Sequence, residues 1–257
     1  MDVAVALERL RPYAASLAIL VDYDGTLAPI VADPEAAVPL PGMLDRLREI
    51  VAGGVRCAVV SGRPVEFLRR MVAIEGSVLV GQYGLERDAA GATVPDPRAA
   101  AFAPAVRAAT AEADRAFAHL YVEPKGDLAV TVHWRAAGVI DDGELAEIAA
   151  IATRHGLWIH ATRMARELRV PVPVDKGSAV TALLAELGCR AALFAGDDAG
   201  DVVAFDSLDR ACESGVIESG LKVGVWSPEA PGELIERADV IVDGPTGVLA
   251  MLDALAD

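Results

Sequence analysis

Leu20-Val21-Asp22-Tyr23-Asp24-Gly25-Thr26-Leu27 decides how the rest of the chain is read. It ends an apolar run that begins at Leu17 and carries β-branched residues at Ile19 and Val21, the pattern of a strand buried on both faces of a parallel sheet. The run stops at two carboxylates two residues apart, and Gly25 follows at once. In an open α/β sheet ligands bind beyond the carboxyl ends of the strands, so Asp22 and Asp24 stand where chemistry is expected. Two like charges this close repel, and a divalent cation or a shared proton relieves them. Gly25 lets the backbone turn sharply and lets its amide approach an anion. Taken alone, the same residues also describe an Asp-rich turn after a strand.

The neighbouring segments repeat the pattern. Upstream, Val3, Ala6, Leu7, Leu10 and Tyr13 keep a helical rhythm over residues 3–15. Downstream, Pro29, Pro34, Pro39 and Pro41 mark an irregular passage before a helix from about Met43 to Ala52, closed by Gly53-Gly54. Arg56 to Val60 reads as the second buried strand and ends on Ser61-Gly62-Arg63-Pro64, where Pro64 suits the first turn of a helix through Phe67, Leu68 and Met71. Ser77 to Val80 reads as the third, ending in Gly81-Gln82-Tyr83-Gly84-Leu85-Glu86. Strand and helix in alternation imply an α/β fold with a parallel sheet.

The character changes near Pro95. A helix near Phe102 to His119 precedes Val122-Glu123-Pro124-Lys125-Gly126, and Leu128 to Arg135 alternates well enough for a strand exposed on one face. A helix near Gly143 to His155 leads to Leu157-Trp158-Ile159-His160 and to Glu167-Leu168-Arg169-Val170. This is the pattern of a small antiparallel α+β layer. The expected organisation is a core of residues 1–95 and 173–257 with an inserted α+β domain over 96–172. The parallel pattern resumes at Asp175-Lys176-Gly177-Ser178, with Asp175 able to cap the next helix, and at Ala191 to Ala195, which ends on Gly196-Asp197-Asp198-Ala199-Gly200-Asp201. Further strands are expected at Lys222 to Trp226 and Asp239 to Val242, before a terminal helix after Gly244.

Composition excludes several classes. The 257 residues are 53% hydrophobic, ample for a real core. No apolar run approaches the roughly 20 residues of a membrane span, and the N-terminus lacks the basic start of a signal peptide. Cys57, Cys189 and Cys212 are odd in number and scattered, so reduced thiols in a cytoplasmic protein are expected and metal ligation by them is not. The net charge of −15 argues against nucleic acid or an anionic membrane as partner. From Asp96 to Val174 nine basic residues face ten acidic ones, so the middle is nearly neutral between acidic flanks.

Polar groups stand at the ends of separate strands or at the start of a helix: Asp22 with Asp24, Ser61, Lys176, and Asp197 with Asp198 and Asp201. Each alone could be a helix cap or a solvated side chain. Their joint placement at one sheet edge points to a single site. Asp22-x-Asp24-Gly25-Thr26, the Ser after the second strand, the Lys opening a later helix and Gly196-Asp197-Asp198 with Asp201 resemble the four motifs of the haloacid dehalogenase-like phosphatases. That resemblance implies a Rossmann-like core, an inserted cap domain and an aspartyl-phosphate mechanism needing Mg²⁺.

Val122-Glu123-Pro124-Lys125-Gly126, Val132-His133-Trp134-Arg135, Glu167 and Val172-Pro173-Val174-Asp175-Lys176-Gly177 are similar to trehalose-6-phosphate phosphatases over nearly the whole chain. Two departures concern substrate more than reaction. Gly200 precedes Asp201 and Val202-Val203 follow it, where that family has Thr and acidic residues. Tyr83 stands in Gly81-Gln82-Tyr83-Gly84, where His is common.

Phosphoryl transfer needs positioning and neutralisation of the equatorial oxygens. Asp22 is the expected nucleophile and Asp24, one alternation later, the acid that protonates the leaving sugar and then the base that takes a proton from water. Mg²⁺ would be held by Asp22, the Asp24 backbone carbonyl and Asp197, with Asp198 and Asp201 as ligands or supports. Ser61, Gly25, Gly62 and Arg63 are expected on the phosphate, and Lys176 against both the phosphoryl group and Asp22. Glu123, Lys125 and Glu167 are the expected sugar contacts, Glu123 and Lys125 sharing a face if their segment is extended. The alternative for that pair is a local ion pair. His119, His133, His155 and His160 are expected as structural or surface residues, and Trp134 and Trp158 as inserted-domain core.

The expected ligand is trehalose 6-phosphate and the expected state a monomer. Another sugar phosphate (sucrose 6-phosphate or a glycosyl-phosphoglycerate) and a catalytically silent sugar-phosphate sensor are the alternatives. The crossings near Pro95 and Val170 to Pro173 are natural hinges for closure over a substrate.

Overall fold

The structure is a computed structural model that describes residues 2–31, 33–162 and 164–256. The chain divides into two units, one of Met1–Val94 with Val174–Asp257 and one of Pro95–Pro173.

In the first unit, α1 (Val3–Glu8) is capped by Asp2, whose carboxylate accepts from the Ala4 N–H at 2.9 Å. The helical rhythm over residues 3–15 does not continue as one helix. Past Glu8 the chain tightens into a 3-10 segment, Arg11–Ser16. Pro12 has no N–H to give to the carbonyl four residues back, and its ring crowds that turn, so the α-helix stops. The chain then runs through β1 (Leu17–Val21), α2 (Met43–Ala52), β2 (Arg56–Val60), α3 (Val65–Met71) and β3 (Val78–Gly81). Two short strands that hydrophobic patterning does not announce follow, β4 (Glu86–Ala89) and β5 (Ala92–Pro95). Their tight connection is Ala90-Gly91, both at positive φ (52° and 85°), as a two-residue hairpin turn requires.

The second unit contains α4 (Ala103–Ala116), β6 (Tyr121–Lys125), β7 (Ala129–His133), α5 (Asp142–Arg154), β8 (Trp158–Thr162) and β9 (Ala165–Arg169). The first unit then resumes with α6 (Lys176–Leu187), β10 (Ala191–Gly196), α7 (Ala199–Glu213), β11 (Ser219–Trp226), α8 (Gly232–Arg237), β12 (Val240–Asp243) and α9 (Gly244–Ala256).

The large sheet has the order β12-β11-β10-β1-β2-β3-β4-β5. It is parallel from β12 to β3, and β4 pairs antiparallel with β3. Every residue of β1 is buried. Leu17, Ile19 and Val21 join one apolar cluster with Leu47 of α2, Phe67 of α3 and Met251 of α9, while Ala18 and Leu20 join a second with Val180 of α6 and Phe205 of α7. Burial on both faces explains the unbroken apolar run, and each such Leu or Ile contributes about 1.5–3 kcal/mol. The period of two continues past the strand end. Tyr23 falls on the Ile19 side, fully buried with its hydroxyl donating to the Ala37 carbonyl at 2.8 Å. Asp22 and Asp24 fall on the side of α6 and α7.

The sheet of the second unit is antiparallel, in the order β6-β7-β9-β8. Register places Glu123, Thr131, Glu167 and His160 in one cross-strand row, flanked by Lys125, Ala129, Arg169 and Trp158 on one side and by Tyr121, His133, Ala165 and Thr162 on the other. Directly paired residues share a face, so nearly all the charge of these strands lies on one side. On the other side α4 lies against β6 and β7, and α5 against β8. Two expectations are corrected here. The β7 strand has no exposed face, because Thr131 is buried and bonded to Glu167 while Ala129, Val130 and Val132 are closed to water. Trp158 is 47% exposed, since it stands on the edge strand β8 and on the polar face; Trp134 is buried as expected.

Candidate active site

The carboxyl end of β1 is fastened to β10 by the Asp22 N–H, which donates to the Ala195 carbonyl at 2.9 Å. This extends the ladder one residue beyond the strand and aims the Asp22 side chain, almost wholly buried, at the start of α6. Lys176 opens that helix behind an Asp175 cap whose carboxylate accepts from the Ser178 N–H. The Lys176 ammonium is 2.9 Å from Asp22 Oδ1 and 2.7 Å from Asp201 Oδ1, with Asp198 Oδ1 at 3.6 Å. Asp201 comes from the first turn of α7. Its second oxygen accepts from the backbone N–H of Asp197 at 2.9 Å and of Asp198 at 3.0 Å, so both oxygens are occupied. A Cβ at Gly196 would fall 2.2 Å from the Asp201 carboxyl carbon, so only glycine admits this clasp.

Asp22, Asp197 and Asp201 each present an oxygen within 4.8 Å of the others. Asp197 lies against Gly25, where a Cβ would sit 2.1 Å from its Oδ2, and Gly25 has a φ of +76°. Close approach and turn conformation both demand glycine there. Burial pushes the Asp22 carboxyl up to about 8 against the opposing pull of Lys176. Burial, with Asp201 and Asp198 adding to it, pushes Asp197 up to about 8 as well. Asp201 is raised too, chiefly by burial. Burial would lower Lys176, yet Asp198, Asp201 and Asp22 together hold it well above its ordinary value. One ammonium among four carboxylates leaves an excess of negative charge on hard oxygen donors, which fits a small divalent cation.

Ser61 follows β2, with its N–H on the Val80 carbonyl and its hydroxyl accepting from the Arg63 N–H at 3.2 Å. The Arg63 guanidinium grips Asp24 with two bonds of 2.7 Å and stacks on Phe67, 4.4 Å from the ring centroid. Its charge faces Asp24 in this structure. Gly62 lies under the Tyr83 ring; a Cβ there would be 2.6 Å from the phenol oxygen.

The expected sugar contacts gather on the polar face of the second sheet. Lys125 and Glu167 pair at 2.7 Å, and Glu123 accepts from the His133 ring nitrogen at 2.8 Å. Both pairs are made across strands. His133 stacks on Tyr121 at 5.4 Å and belongs to this face, a part that the sequence, lacking any metal-like His spacing, does not signal. His119 and His155 pair with Glu144 and Glu112.

A model described as trehalose-phosphatase matches residues 20–230. The trehalose-phosphate phosphatase of Mycobacterium tuberculosis is 36% identical over 253 residues, covering 93% of this chain and 61% of that protein, so the chain spans about three fifths of that relative. Among solved structures, a trehalose-6-phosphate phosphatase related protein aligns at a TM-score of 0.75 with 25% identity, covering 93% of this chain and 96% of that one. A haloacid dehalogenase-like hydrolase from Bacteroides thetaiotaomicron aligns at 0.65 with 17% identity, over 92% and 98% of the two chains, and shares the fold.

Proposed function

The chain belongs to the trehalose-phosphatase family, and we propose that it hydrolyses trehalose 6-phosphate to trehalose and phosphate through a phosphorylated Asp22. The observation that carries this reading is the buried meeting of Asp22, Asp197 and Asp201 with Lys176 at one sheet edge.

Asp22 and Asp197 would hold Mg²⁺ with the Asp24 backbone carbonyl, and Asp201 would brace them. When bound, the ion neutralises charge on the phosphoryl oxygens. An Asp22 oxygen attacks phosphorus and the bond from phosphorus to the sugar oxygen breaks. Asp24 gives that oxygen its proton, then takes one from the water that attacks the phosphorylated Asp22 and frees phosphate. Arg63 aims Asp24; a carboxyl with a proton on one oxygen still accepts an Arg63 bond on the other. Ser61, Gly62 and the Gly25 amide are assigned to the phosphoryl oxygens, and Lys176 neutralises them alongside Asp22.

Substrate choice is assigned to Glu123, Lys125 and Glu167, and the second unit to the role of a cap over residues 96–172. Charged groups arranged for sugar hydroxyls reject esters that lack those hydroxyls more strongly than an apolar pocket does. The three free cysteines, two of them buried, support a reducing compartment. Among the described residues no helix is long and apolar enough to cross a membrane.

Phosphate release measured over trehalose 6-phosphate, sucrose 6-phosphate, a glycosyl-phosphoglycerate and an aryl phosphate, with and without chelator, tests the reading. Preference for trehalose 6-phosphate and loss of release on chelation are expected. Release from none of the esters with Mg²⁺ present would overturn it.

A further inference from the structure

Among the described residues the mechanism leaves one buried acid unused. Glu86, at the start of β4, is 8% exposed and lies opposite Gly81 in the β3–β4 pairing. Its Oε2 accepts from the Val65 N–H at 2.9 Å, and it shares a hydrogen bond with the Gln82 side chain, itself buried. Between them lies a strained turn: Gln82 and Tyr83 have φ of 50° and 59°, left-handed values in residues that carry a Cβ, and Gly84 has 113°. Such strain persists only where surrounding bonds over-determine it.

Those bonds end on the phosphate loop. The Gln82 N–H donates to the Arg63 carbonyl and the Tyr83 N–H to the Ser61 carbonyl, both at 2.9 Å. Gly81 approaches the same loop so closely that a Cβ would sit 2.7 Å from the Arg63 carbonyl oxygen. On its far side the turn rests on α6, where a Cβ at Gly84 would be 3.3 Å from Ala179 and 3.7 Å from the Asp175 carbonyl, one residue before Lys176. One strained turn therefore touches the Ser61–Arg63 loop and the start of the Lys176 helix.

We propose that Glu86 is a positioning residue: through Val65 and Gln82 it locks the 82–84 turn, and the turn fixes Ser61, and Arg63 with its partner Asp24, relative to Lys176. This rests on the functional reading above, since it assigns Glu86 to the chemistry of that site. Burial pushes the Glu86 carboxyl up, so a neutral Gln amide, which also accepts from Val65 and bonds Gln82, is an adequate replacement. Ala is not.

The test compares wild type, Glu86→Gln, Glu86→Ala and Gln82→Gly on trehalose 6-phosphate and on 4-nitrophenyl phosphate, with inorganic phosphate as inhibitor and melting temperature as control. A misplaced catalytic group costs up to about a hundredfold, so Glu86→Ala should lose about tenfold or more in kcat on both esters and weaken inhibition by phosphate. Glu86→Gln should recover to within about threefold of wild type, as rescue by an equivalent hydrogen-bonding group requires. Gln82→Gly relieves the backbone strain, so it should keep the melting temperature yet lose kcat; it also decides the matter if Glu86→Ala does not fold. Folded variants turning over both esters at the wild-type rate, or failure of Gln to rescue, would overturn the role of Glu86 alone. A wild-type protein that releases phosphate from neither ester would overturn the functional reading as well.

Discussion

Lys176 and Asp22 form an ion pair of 2.9 Å in which both side chains are almost wholly buried. The same ammonium also serves Asp201, so a single cation holds two buried acids. Removing one partner of a buried pair leaves an uncompensated charge, at a cost of about 3–5 kcal/mol. Lys176→Ala should therefore lower the denaturation midpoint strongly without divalent cation and recover part of the loss when Mg²⁺ is added. An unchanged midpoint in the absence of cation would remove Lys176 as the neutraliser of the cluster.

Asp22→Asn separates chemistry from stability. The amide fills the same space, cannot attack phosphorus, and takes one negative charge out of a crowded group. Turnover should vanish, while the cation-free protein melts no lower than wild type. Retention of a tenth of the activity, on the order of one pKa unit's worth of free energy, would exclude Asp22 as nucleophile.

The raised carboxyls make pH a direct probe of the cluster. Asp22 and Asp197 stand at about 8 in the folded chain and near 3.8 otherwise, so the folded state binds more protons between those values. Their contribution is fully present below about 3.8 and is lost as pH rises through about 8. Without cation, this part of the stability should fall with rising pH. With Mg²⁺ the slope should flatten, because the ion replaces the protons, and binding should tighten toward pH 8 with proton release measurable by calorimetry in buffers of different ionisation heat. Cation binding indifferent to pH would mean that these carboxylates are not its ligands.

The alternation that buries β1 on both faces runs on through Tyr23, which is why the two acids and the α/β core were legible together in the sequence. Lys176 and Asp197 were legible for the same reason: each stands where an apolar run or a cap ends. What stayed hidden is long-range pairing. Nothing near Arg63 in the sequence announces Asp24, 39 residues away, as its partner. Glu86 sits in the short strand Glu-Arg-Asp-Ala, too polar to read as sheet, and its bonds run to Val65 and Gln82. The row Glu123–Thr131–Glu167–His160 depends on strand order, which alternation within one strand does not specify.

The Arg63 fork predicts a leaving-group effect. Asp24→Ala should slow release from trehalose 6-phosphate far more than from an aryl phosphate, whose phenolate departs with less acid help. Arg63→Ala should follow the same pattern more weakly, since it frees Asp24 without removing it. Equal slowing of both ester types by Asp24→Ala would speak against an acid role.

On the polar face of the second sheet, Glu167 is 2% exposed and bonded to both Lys125 and Thr131, whereas Glu123 keeps His133 and is more open. Truncating either member of the Lys125–Glu167 pair strands a charge and confuses folding with recognition. Glu123 is the cleaner probe. Glu123→Ala should raise KM for the disaccharide phosphate with little change in kcat, and should leave turnover of 4-nitrophenyl phosphate alone, because that ester has no sugar hydroxyls to offer. The effect should be about tenfold, the loss of one hydrogen bond to a charged group. Parallel losses on both esters, with a lowered melting temperature, would show that Glu123 holds the sheet together and does not read the sugar.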